Sequence, residues 1–122
     1  SSTRGMGTLD QAQFDKAVEL YEDKSYTKAA PLFDNVDSIV ATYFAGNCYY
    51  NNGEFAKAEE RFKKVVDKNQ TWVEHAEYNL AMTYLKLGKV EEARSLLARI
   101  AADDQQDFQN LAKEALEEVN KL

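Results

Sequence analysis

Cysteine, proline, histidine and tryptophan each occur once in the 122 residues, and glycine only five times. A lone Cys48 excludes an internal disulfide and a thiolate metal cluster, and it carries no signal of redox compartment. A lone His75 leaves too few soft ligands for a metal site, so no metal or cofactor is expected. One proline and five glycines supply little turn material for an all-β chain. No stretch approaches the roughly 20 apolar residues of a membrane span, and no apolar segment follows a basic start. A basic excess is also missing. Fifteen Lys and Arg against 21 Asp and Glu give a net charge of −6. That balance argues against nucleic acid and against anionic lipid, whose phosphates need a basic face.

What is present is helical amphipathicity. Hydrophobic residues make up 44% of the chain, enough for one continuous core. Residues 1–9 (SSTRGMGTL) read as a flexible leader, because the segment is small, polar and glycine-containing. The absence of an initial methionine fits a processed chain or a piece of a larger one, a membrane-anchored chain included. Helices are predicted from about Asp10 to Asp23, over a short stretch carrying Tyr26 to Phe33, and from Ile39 to Asn51. Further ones follow at Glu54 to Lys68, Trp72 to Leu87, Lys89 to Ala102 and Asp107 to Lys121. Pro31 sits inside the second and predicts a kink. Ser38 or Asp37 is a suitable N-cap for the third.

The turns align. Lys24-Ser25-Tyr26, Gly53-Glu54-Phe55 and Gly88-Lys89-Val90 occupy one position. Ala29, Ala58 and Ala93 follow, spaced by 29 and 35 residues, and Phe33, Phe62 and Leu97 come four residues after them. Ala17, Gly46 and Ala81 precede those alanines by 12 residues each. A helix pair recurring about every 34 residues with small and aromatic positions resembles the tetratricopeptide repeat. GNCYYNNGEFAKAEERF and LAMTYLKLGKVEEARSLL carry the resemblance best, and AEYNLAMTYLKLGKVEEARSLLARIAADD with the last helix is also similar to bacterial members of the family. In the first repeat Lys24 stands where the turn glycine is expected.

The resemblance implies an all-α, right-handed superhelical solenoid. Three repeats would occupy about 10–36, 37–70 and 71–105, with a capping helix over 106–122. It further implies a groove lined by the first helix of each repeat, where a peptide or helix of a partner protein binds. Matched residue by residue, the candidates are Phe14, Val18 and Tyr21, then Val40, Tyr43, Phe44, Asn47, Tyr50 and Asn51. His75, Tyr78, Asn79, Met82 and Lys86 complete them. Phe14, Val18 and Phe44 are better read as helix packing, since buried rings are the commoner case. For Tyr50, Asn47, Asn51 and Asn79 both readings stay open. The carboxylate clamp of the best-known members is missing, because its places hold Phe14, Val18, Phe44, His75 and Asn79.

No catalytic residues are expected. On roughly parallel helices Cys48 and His75 are offset by about 12 Å of rise, too far for a thiolate–imidazole pair. Cys48 reads as a buried, inert thiol. Adjacent carboxylates such as Glu91-Glu92 do not face each other on a helix and read as solvated faces. The favoured function is therefore protein binding through Tyr43, Asn47, Tyr50, Tyr78 and Asn79. The alternative is a structural module for self-association or for docking within a larger chain. The identity of the partner and the compartment, cytoplasm or periplasm, stay open.

Overall fold

The computed structural model describes residues 6–122. Among these residues seven helices follow one another: α1 (Thr8–Glu22), α2 (Tyr26–Asp34), α3 (Ile39–Asn51), α4 (Phe55–Lys68), α5 (Val73–Lys86), α6 (Val90–Ala102) and α7 (Gln109–Val119). Among the described residues there is no strand. Each helix packs on the one before and the one after, all along the chain. The fold is an all-α repeat solenoid.

Helix α1 begins inside the segment read as a leader. Residues 1–5 lie outside the described residues, but Thr8 and Leu9 are already helical. The Gly7 carbonyl accepts the first helical bond from the Gln11 amide at 2.8 Å. Met6 packs against the core of the first helix pair, and Asp10 lies in the first turn, where a carboxylate favours the helix start. At the other end α7 starts at Gln109, two residues later than the pattern predicts. Gln106, only 8% exposed, holds the chain in a turn there. Its side-chain amide donates to Glu77 at 3.1 Å, and its oxygen accepts from the Phe108 amide at 3.1 Å.

The three aligned turns share one hydrogen-bond pattern. Ser25 donates to Leu20, Glu54 to Tyr49 and Lys89 to Tyr84, each at 2.8 Å, closing a Schellman motif behind its helix. The motif needs a left-handed residue, and the φ angles are +61° at Lys24, +77° at Gly53 and +75° at Gly88. Lys24 thus takes the conformation of the glycine it replaces and bears its steric cost. Gly46 has a different reason. A Cβ there would lie 2.7 Å from the Phe62 ring, so glycine lets α3 close on α4.

Two apolar clusters form the core. Ala17, Ala29, Ala30, Phe33, Val36, Ala41, Ala45 and Cys48 are buried in the first. Phe62, Val65, Leu80, Leu97, Ile100 and Val119 are among those in the second. Phe44 and Tyr49 pack against both. The α7 stripe is only partly inward: Ala112 and Val119 are buried, but Leu111 is 48% exposed. Ion pairs tie the even helices together. Arg61 of α4 reaches Asp34 of α2 at 2.9 Å, and Lys89 reaches the nearly buried Glu59 at 2.9 Å. Burial alone would raise both carboxyls, but their hydrogen-bonded cations outweigh it and hold both below their ordinary values.

Replacing the exposed Lys24 with glycine removes the left-handed strain and should stabilise the chain by about 1 kcal/mol. Gly53→Ala and Gly88→Ala, with open space around each, should destabilise it by a similar amount. Thermal unfolding of the three variants checks this, and an unchanged or lower midpoint for Lys24→Gly contradicts it.

Candidate interaction groove

The groove is built on α1, α3 and α5. Helical spacing puts Tyr21 near the end of α1, Asn47, Tyr50 and Asn51 on successive turns of α3, and Asn79 and Met82 on one face of α5. These six side chains enclose a hollow of about 260 Å³. A cross-helix amide chain runs along its wall. The Asn79 amide donates to the Asn47 side-chain oxygen at 3.1 Å and to the Tyr43 hydroxyl at 3.1 Å. Asn47 in turn donates to the Tyr21 hydroxyl at 3.4 Å. Asn51 donates to the Asn47 carbonyl at 2.8 Å and stays exposed. Burial raises the Tyr21 and Tyr50 phenols above their ordinary values.

Below this wall lies a continuous series of rings. Phe14 meets Phe33 edge-on at 5.7 Å, and Phe33 stacks on Phe44 at 5.6 Å. Phe44 meets Tyr21 at 5.2 Å and Tyr43 at 5.4 Å. Tyr43 stacks on Trp72 at 4.9 Å, Trp72 meets His75 at 4.8 Å, and His75 meets Phe108 at 4.9 Å. Phe108 finally stacks on Tyr78 at 5.3 Å.

Of the fourteen candidates named from the sequence, six line the hollow: Tyr21, Asn47, Tyr50, Asn51, Asn79 and Met82. Tyr43 does not: it is 5% exposed, and only its hydroxyl reaches the amide chain. Its ring is committed to Trp72, so it serves as floor and not as a contact surface. His75 and Tyr78 are brought together elsewhere, against Phe108 at the α7 end. Phe14, Val18 and Phe44 pack against the core, as the packing reading expects.

Trp72 and Phe108 fall inside the predicted helices but not among the groove candidates, and both support the site. Each occupies the position just before its helix rather than a turn within it. Trp72 has a φ of +67°, a conformation that costs a bulky residue about 1–2 kcal/mol. Contact with Tyr43, Phe44 and His75 offsets that cost. An aromatic at the very start of each predicted helix, Trp72 first and Phe108 second, was the available signal.

Cys48 is fully buried. Burial, with the nearby Asp34 charge, pushes its thiol up to about 12, so it stays protonated and unreactive at neutral pH. Among the described residues no cluster of His, Cys, Asp or Glu could hold a metal. No helix among them is long and apolar enough to cross a membrane. Larger hollows of about 560 and 680 Å³ lie among paired charges such as Lys63, Arg99 and Asp34, and one of about 450 Å³ lies at the start of α1.

The family model described as anaphase-promoting complex, cyclosome, subunit 3 matches residues 10–100. The chain belongs to that tetratricopeptide-like repeat family. Two solved structures share the repeat fold. The first tetratricopeptide-repeat domain of Spaghetti (RPAP3), bound to the HSP90 peptide SRMEEVD, has a TM-score of 0.77 at 19% identity, over 92% of this chain and 90% of that one. PcrH in complex with the chaperone-binding region of PopD has a TM-score of 0.76 at 21% identity, over 96% of each chain. No curated protein matches the chain. At these identities the likeness of the repeat chain to both structures is one of fold.

The split between floor and wall predicts two different variants. Tyr43→Ala removes a buried, stacked ring and should destabilise the chain by about 3 kcal/mol. Tyr50→Ala loses mainly an edge contact with Phe55, costing about 1 kcal/mol. Urea unfolding distinguishes them, and equal losses would contradict the assignment.

Proposed function

We infer that the chain is a protein-binding scaffold that captures a segment of a partner polypeptide in the groove of α1, α3 and α5. The observation that carries this reading is the amide-and-phenol wall. Asn47, Asn51, Asn79, Tyr21 and Tyr50 converge from three helices on one hollow. Amides can pair with main-chain N–H and C=O groups, and phenol rings offer contact area at low entropic cost. Both fold neighbours were solved with a partner segment, an HSP90 peptide in one and a region of PopD in the other. This supports the reading as analogy of fold.

Rigid support matters as much as the wall itself. A groove held by stacked rings is formed before the partner arrives, so little ordering cost falls on binding. Tyr50, Asn51 and Met82 are the side chains whose loss should be felt by the partner and least by the fold, because none is buried.

The test is capture from a lysate of the source cells, comparing the native chain with a Tyr50→Ala, Asn51→Ala variant of native circular dichroism. A protein held by the native chain should be retained at least about tenfold less by the variant, the equivalent of about 1.4 kcal/mol. Equal retention by both would move the interface to another face.

A further inference from the structure

The groove wall carries no formal charge. Its six residues are three asparagines, two tyrosines and a methionine. Lys86, one turn beyond Met82 on α5, is turned onto the Phe55 ring with its nitrogen 5.9 Å from the centroid. Among the described residues the side-chain hydrogen-bond partners of the six wall residues are Tyr43, the Asn47 carbonyl and one another. No carboxylate or cation is among them.

The hydrogen-bonding capacity left over is mixed in kind. Asn79 spends its amide on Asn47 and Tyr43 and keeps its oxygen. Asn51 uses one N–H on the Asn47 carbonyl and keeps the other, together with its side-chain oxygen. Asn47 accepts from Asn79, gives one N–H to Tyr21 and retains one. Tyr21 accepts and still has its O–H to give. Among the described residues no hydrogen bond engages the Tyr50 hydroxyl. The wall thus presents N–H and O–H donors beside C=O acceptors, all neutral.

A polypeptide main chain has the same mixture, one N–H donor and one C=O acceptor per residue. A carboxylate has the wrong one. It would lose its water and find donors but no cation, beside acceptor oxygens that repel it. Resting on the groove reading above, we propose that the occupant is an internal, uncharged stretch of a partner polypeptide, held through its main-chain amides by Asn51, Asn79 and Tyr50. It places one apolar or neutral side chain against Met82. An acidic chain terminus of the SRMEEVD kind, which the RPAP3 domain holds, is excluded.

Two randomised peptide libraries test this, one displayed between fixed flanks and one ending in a free carboxylate, together with synthetic SRMEEVD. The native chain should select from the flanked library, with Asp and Glu depleted at the central positions, and should not bind SRMEEVD measurably. Tyr50→Ala, Asn51→Ala should weaken the selected peptides at least about tenfold. N-methylation of one central main-chain amide should do the same, as expected for loss of a desolvated hydrogen bond. Binders that depend on the groove but are acidic, need a free carboxylate, or tolerate every N-methylation overturn the proposal and leave the groove reading standing. Binders indifferent to the groove substitutions overturn the groove reading as well, as does the absence of binders from both libraries.

Discussion

Contact between aromatic rings of α1, α2, α3 and α5 and of the connections before α5 and α7 is what the rest of the structure depends on. It starts at Phe14 and runs through Phe33, Phe44, Tyr43, Trp72 and His75 to Phe108 and Tyr78, with every step between 4.8 and 5.7 Å. A lone helix pair cannot bury its apolar stripe, so each repeat must lean on a neighbour. Here the leaning is done by rings, and each pair adds about 0.5–1.5 kcal/mol beyond the area it covers. Phe44 is the pivot, since it touches rings of both apolar clusters.

The same rings fix the groove. Tyr43 lies under Asn79, and its hydroxyl orients the amide that then holds Asn47, which reaches Tyr21. A polar wall standing on a buried aromatic floor explains how six neutral side chains from three helices hold one geometry. The even helices are joined by different physics. Asp34 with Arg61 and Glu59 with Lys89 place paired charges across consecutive turns of the solenoid. Asp34 also accepts from the Tyr49 hydroxyl at 2.6 Å. The two faces thus have separate devices, and changes to the groove need not disturb the ionic side.

The repeat was legible because its steric demands are strict. A left-handed turn residue, a small residue at a close helix crossing and an aromatic four residues after an alanine leave marks at fixed spacing. Lys24 blurred one of them because a lysine can occupy the left-handed region at a cost. What the pattern did not reveal was depth. Tyr43 and Tyr50 lie seven residues apart on the same face of α3, yet one is floor and the other wall. The difference comes from Trp72, which enters from a connection with left-handed backbone that no helical period describes. The start of α7 was misplaced for a related reason, since the turn that delays it is held by side-chain bonds of Gln106 to Glu77 and Phe108 that no helical period describes.

The most direct test follows urea unfolding by two probes at once, the fluorescence of Trp72, the only tryptophan, and far-ultraviolet ellipticity. If the ring series joins the repeats into one unit, the native chain gives a single coincident transition. In Phe44→Ala the first helix pair is cut loose, and ellipticity should fall before Trp72 responds. Coincident transitions in Phe44→Ala at an unchanged midpoint, or separated ones in the native chain, would contradict the account.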